Sequence, residues 1–199
     1  MRLAKPKTAG FLIASRALLL LFLVLGPASA AGLFAQSLDI PSKDWGISFG
    51  NSKTFTGLRF NFRDSRVERI TGVNVTLWRP RKDDKEAVVN GLSLGLAPGG
   101  GRLCGIQLGL LGAGAEKSMT GLNLGGLGAG AGEDLTGVNI GGLGVGAGED
   151  LKGITIGGLG AGAGGNATGI CIGGLGAGAG GTFKGILVGG LGAGAGEDI

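Results

Sequence analysis

From Thr120 to Ile199 the chain repeats one sixteen-residue unit five times: TGLNLGGLGAGAGEDL, TGVNIGGLGVGAGEDL, KGITIGGLGAGAGGNA, TGICIGGLGAGAGGTF and KGILVGGLGAGAGEDI. A fixed period of that length marks a stack of similar units, each touching only its neighbours. A stack of helices is excluded. Glycine costs about 0.8–1.0 kcal/mol per helix position relative to alanine, and 48 of the 199 residues are glycine.

Within the unit that opens at Lys152, Ile154 and Ile156 alternate with Thr155, the period-two signature of a short strand. Gly157-Gly158 supplies a turn, since a glycine pair is free to take positive φ. Leu159, Ala161 and Ala163 then alternate with Gly160, Gly162 and Gly164, a second short strand. Gly165-Asn166 closes the coil here, as Glu133-Asp134 and Glu149-Asp150 do in earlier copies. One coil alone lacks the apolar surface to offset the entropy of ordering it. Copies stacked in register pair in parallel at about 4.8 Å per coil. The expected fold is therefore all-β: a parallel β-solenoid of about nine coils, two short strands per coil. Apolar residues are expected inward, with Ile154, Ile156 and Leu159 facing Ala161 and Ala163 and a bare glycine strip outside. The reverse assignment of the second strand, glycine inward, stays open. On this reading Ile156→Asp destroys the coil, whereas Gly160→Lys disrupts self-association through the strip and leaves the fold.

Residues 1–30 read as a signal peptide. Arg2, Lys5, Lys7 and Arg16 precede the apolar run Ala17 to Leu25, and Pro27-Ala28-Ser29-Ala30 has small residues before a cleavage point. An uncleaved anchor is the alternative. Nothing later resembles a membrane helix of about twenty apolar residues. The leader holds four of the eighteen basic residues and none of the fourteen acidic ones, so the remainder is formally neutral. No basic stripe remains for nucleic acid.

Residues 31–44 form a lead-in whose Leu33, Phe34, Leu38 and Ile40 are placed to cover the first coil. Residues 45–119 carry degenerate coils and 120–199 the regular ones. The glycine that opens each coil falls at 57, 72, 91, 105, 121, 137, 153, 169 and 185, in steps of 15, 19, 14 and then 16 throughout. The long step holds a charged insert at 79–89. Phe55, Phe60, Phe62, Val73, Val75 and Trp78 suggest a wider interior in the early coils. The chain stops where another opening glycine is due, so a truncated C-terminus is expected.

No catalytic, cofactor-binding or metal-binding residue is assigned. GLGAGAG resembles a dinucleotide-binding loop, but that fingerprint needs a following helix and occurs once. Glu133-Asp134 and Glu149-Asp150 stack into an acidic edge that Gly165-Asn166 and Gly181-Thr182 interrupt, a weak calcium site at most. Cys104 and Cys171 lie four coils apart, roughly 19 Å at the strand spacing, so both are expected to be free thiols. With no His and no Tyr, the usual general bases and triads are missing and an enzyme is not expected. Asn123, Asn139, Thr155, Cys171 and Leu187, read as outward, make no ordered ice-binding array.

Gly121-Leu122-Asn123-Leu124-Gly125 and Gly105-Ile106-Gln107-Leu108-Gly109-Leu110-Leu111 resemble the bacterial surface-repeat family described from leptospires. The likeness spans roughly Trp45 to Ile199 and implies export and a repetitive surface protein. The chain departs from that family in lacking a lipoprotein cysteine and in its GAGAG runs. The expected function is an exported, non-enzymatic scaffold at the cell surface, in the periplasm or outside the cell. Self-association through the glycine strip is the partner expected. The alternatives are an outer-membrane-associated β-sheet or barrel protein, and a weak calcium- or ice-binding module.

Overall fold

The computed structural model describes residues 37–78 and 85–199. Residues 1–30, where a signal peptide is expected, residues 31–36 of the lead-in and residues 79–84 of the insert lie outside the described residues. All regular structure among the described residues is strand, and from Trp45 onward it is stacked in parallel as a coil repeat requires.

The strands fall in two ladders. The long ladder contains β2 (Trp45–Gly50), β3 (Thr54–Arg63), β4 (Arg69–Trp78), β5 (Val88–Gly95), β6 (Gly99–Gly109) and β7 (Gly112–Gly125). It continues through β9 (Leu135–Gly141), β11 (Leu151–Gly157), β13 (Ala167–Gly173) and β15 (Phe183–Gly189). The short ladder starts in the first residues of β6, passes through the first residues of β7 and continues through β8 (Gly128–Ala131), β10 (Gly144–Ala147), β12 (Gly160–Ala163), β14 (Gly176–Ala179) and β16 (Gly192–Ala195). Every pairing in both ladders is parallel and, apart from a register shift between Gly100 and Arg102 where β6 meets β7, joins equivalent residues, as in Thr155 with Asn139 and Cys171. The corners are laddered too. Leu143 N donates to Leu127 O at 2.7 Å and Leu159 N to Leu143 O at 2.7 Å; at the other corner Glu149 N donates to Glu133 O at 2.9 Å. A further strand, β1 (Ser37–Pro41), runs antiparallel to β2 and pairs with its edge, a row of groups otherwise open to another chain.

The opening glycines stand in one column, which begins a coil earlier than expected, at Gly46. All take positive φ, +114° at Gly153, a region L-residues rarely enter. A Cβ at Gly153 would lie 2.2 Å from the Gly137 carbonyl oxygen below. Gly157, of the same strand parity, is equally constrained: its Cβ would lie 1.9 Å from the Gly160 oxygen across the turn. These glycines mark the crowded, inward side of the long strand. Leu151 and Thr155 share that side and are buried, at 1% and 0% exposure.

The expected facing of the first strand is therefore corrected. Ile154, Ile156 and Leu159 point outward, at 40%, 37% and 49% exposure. Asn123, Asn139, Thr155 and Cys171, read as outward, are fully buried. The interior is too thin for two branched side chains per coil beside the Gly153 and Gly157 columns. In the regular coils it holds one apolar residue per coil at the position of Met119, Leu135, Leu151, Ala167 and Phe183, a second residue that is polar at Asn123, Asn139 and Thr155, and the alanines of the short strand. Ala161 is buried and Gly160 is outward, so the glycine strip lies outside as expected. Polar residues in the interior are tolerated because they ladder. Asn123 Nδ2 donates to Asn139 Oδ1 at 2.7 Å, and Asn139 Nδ2 to Thr155 Oγ1 at 3.3 Å.

The early coils differ in the same sense. Phe55 is buried, but Phe60, Phe62 and Trp78 are exposed. The interior there is filled by a polar cluster instead. Arg59 Nη1 donates to Asp64 Oδ1 at 2.5 Å and to Asn74 Oδ1 at 2.8 Å, and Thr76 Oγ1 donates to Asp64 Oδ2 at 3.0 Å. A buried guanidinium persists only with such pairing.

Candidate functional site

Because Gly153 and Gly157 fix the parity of the long strand, the two positions of alternate parity between them face outward in each coil, and all are apolar. One column runs in register from Ile47 through Leu58, Val73 and Leu92 to Ile186; the next runs from Phe49 through Phe60 and Val75 to Val188. Neither column contains a charged or polar residue. The corner leucines Leu127, Leu143, Leu159, Leu175 and Leu191 add a third exposed column. Where Leu94, Leu108, Leu124 and Ile140 meet the corner at Leu110, the face dips into an apolar groove.

Nine steps at the strand spacing of about 4.8 Å make the face roughly 43 Å long, and three columns make it about 14 Å wide. Roughly 600 Å² of nearly uninterrupted apolar surface results, at the upper end of the patches that monomeric proteins carry. The rim before the first column is mostly neutral: Thr56, Thr71, Asn90, Cys104, Thr120, Thr136 and Thr168, with Lys152 and Lys184 near one end. The other rim is the glycine corner. At the N-terminal end the face turns aromatic, with Phe49 and Phe60 stacked at 5.4 Å between ring centroids.

The second surface is the glycine strip of the short ladder. Here the backbone does not demand glycine at every position. A Cβ at Gly160 would meet only the Gly176 oxygen at 3.8 Å, and one at Gly144 only the Gly160 oxygen at 3.5 Å. Gly162 is tighter, 2.8 Å from the Gly178 oxygen.

The other residues singled out in the sequence are dispersed. Glu133 and Glu149 stack at an exposed corner as expected, but Asp150 turns to the cations and amides beside it. Its carboxyl is held below the ordinary range by the Asn166 backbone N–H, 3.1 Å away, and then by Lys152 at 3.3 Å. Among the described residues no group of three or more His, Cys, Asp or Glu is arranged to hold a metal ion. Lys117, hydrogen-bonded to Glu86 at 2.6 Å, likewise lowers that carboxyl. Burial lifts the Asp39 carboxyl, but the hydroxyls of Ser48, Ser37 and Ser52 and the charge of Arg59 outweigh it and hold it low. Cys104 and Cys171 are free thiols, the first exposed on the rim of the apolar face and the second buried. Burial pushes the Cys171 thiol up. Among the described residues no helix is long and apolar enough to cross a membrane.

Sequence reasoning missed the apolar face because it assigned the apolar residues to the core. The signal was present: from Gly91 onward glycine flanks each triplet on both sides, in phase with its middle member. Comparison of the chain with protein-family models, with curated protein sequences and with solved structures finds no match to any of them.

Proposed function

We propose that the protein is an exported, non-enzymatic scaffold, displayed at the cell surface or released outside the cell, whose work is done by the outer faces of its solenoid. The observation that carries this reading is the aliphatic face, an exposed, continuous apolar surface as large as the largest patches of monomeric proteins, which are often functional. Export rests on the basic and apolar leader at 1–30 and on the likeness of the repeat to leptospiral surface repeats. The glycine strip fits the same reading, since a surface without side chains lets a second backbone approach closely. Little apolar area is buried in that way, so strip-to-strip association is weak.

The test is where the chain resides. Fractionation of the cells that make it, with protease added outside intact cells, is expected to find it accessible, with a mature N-terminus at Ala31. Recovery from the cytosol with Met1 in place would overturn export.

A second reading, association with the outer membrane, is favoured by the same apolar face and by its aromatic end. The parallel pairing of the strands weighs against a closed barrel, which pairs antiparallel strands of about nine to eleven residues.

A further inference from the structure

We propose that the aliphatic face is a homodimer interface, in which two copies of this chain pack face to face and run antiparallel. The proposal rests on the scaffold reading and names its first partner.

Three properties of the face select a second copy over other occupants. The first is shape. A partner must run for about 43 Å and carry ridges at the strand spacing of about 4.8 Å, and the same three columns of another copy have that length and that repeat. Sheets packed in this way sit about 10 Å apart with interdigitated side chains. The second is area. Covering about 600 Å² on each copy buries about 1,200 Å² in the pair, which reaches the range of stable specific interfaces. The third is charge. The face has no ionised group to desolvate, and its rim is threonine, asparagine and glycine, with Lys152 and Lys184 confined to one end. A surface built for anionic lipid carries a basic rim along its length, and this one does not.

The antiparallel sense follows from bulk. Phe49, Phe60 and Phe62 stand out at the N-terminal end, whereas Ile156, Ile172 and Val188 occupy the corresponding part of the other end. Parallel copies would set aromatic against aromatic and wedge the sheets apart. Antiparallel copies match large with small at both ends, under the two-fold symmetry common to homodimers. With the dyad along the strands, the rim residues of the central coils come together. Cys104, exposed in the fifth of ten long strands, then lies about one coil, or ~5 Å, from its mate along the solenoid and ~10 Å across the sheet gap.

Sedimentation and light scattering of the exported chain, as isolated with its N-terminus at Ala31, are expected to give twice the chain mass. A maleimide cross-linker spanning about 10 Å, the sheet separation, is expected to join two chains through Cys104 and to fail with Cys104→Ser. The double variant Ile140→Glu, Ile156→Glu is expected to lose the dimer at concentrations where the wild type is wholly dimeric, with an unchanged far-UV circular dichroism spectrum. Gly160→Lys is expected to remain dimeric. A folded wild type that is monomeric, a dimer lost through Gly160→Lys but kept by the double variant, or a monomer that binds phosphatidylcholine vesicles would each overturn the proposal. Cross-linking of the wild type decides even if the double variant fails to fold. A monomer that is nevertheless displayed outside the cell would remove the dimer and leave the scaffold reading standing.

Discussion

Asn139 occupies the middle of the interior amide run, accepting from Asn123 at 2.7 Å and donating to Thr155 at 3.3 Å. Two coils earlier in the same column, Gln107 is fully buried and neither its amide nitrogen nor its oxygen has a hydrogen-bond partner. The two positions should respond oppositely to losing their polarity. Asn139→Ala leaves two buried groups without partners and should cost about 1–3 kcal/mol, the usual penalty for a stranded polar atom. Gln107→Leu removes an amide that already lacks partners and should be neutral or stabilising; urea midpoints at one pH measure both. Acid should destabilise in a defined sense. Asp39, Glu86 and Asp150 are all held below the ordinary carboxylate range by hydrogen bonds or cations. Each therefore stabilises the fold at neutral pH and down through that range, and the contribution disappears as pH falls through the lowered folded value. The urea midpoint is expected to drop on acidification below about pH 4, less steeply in Lys117→Met, where the depression of Glu86 is relieved.

Within a single coil, the glycines of β11 and those of β12 serve different ends, and this governs what could be read beforehand. Period, turn positions, parallel stacking, the free cysteines and the outward glycine strip were all legible, because a sixteen-residue repeat permits few alternatives. The facing of Ile154 and Ile156 was not. Hydrophobicity argues that branched apolar residues go inside, yet Gly153 and Gly157 claim that side for reasons of backbone contact. A one-residue change of parity exchanges the two faces of a strand, so a correct strand was assigned with its faces reversed, and the candidate site was hidden with it. Substitution distinguishes the two kinds of glycine. Gly153→Ala forces a positive φ and a clash with Gly137, and is expected to cost at least ~2 kcal/mol. Gly160→Ala meets only ordinary contact and should be neutral or stabilise by ~0.4–1 kcal/mol through the unfolded chain. Ile156→Asp, on the outer face, is expected to leave the coil folded, as far-UV circular dichroism would report.

At the scale of the molecule, a solenoid is a one-dimensional stack in which each coil depends only on the coils above and below. Deleting residues 137–152 joins Thr136 to Gly153 and recreates the Thr-Gly junction found at Thr120-Gly121 and Thr168-Gly169. The new coil would set Leu135 against Met119 on one side and Ala167 on the other, and Thr155 against Asn123 and Cys171, so both interior columns remain continuous. One repeat and one coil-to-coil interface are lost, and nothing is left unpaired. The expected result is a shorter solenoid with the same circular dichroism per residue and a modestly lower urea midpoint. Deleting residues 145–152 is a smaller change by length and a larger one by structure. It removes most of β10, the closing corner and the start of β11, so the coil cannot return to the long ladder and Leu135 loses its upper neighbour. That variant is expected to lose cooperative unfolding or to aggregate through the exposed edges of its broken ladders. The natural steps of 15, 19 and 14 among the early coils are accommodated at corners, with the columns of β3 to β6 intact across them. Tolerance should therefore follow whether the chain re-enters the column in phase, not how many residues are removed. If both deletions proved equally stable, coil-to-coil stacking would not be what holds the molecule together.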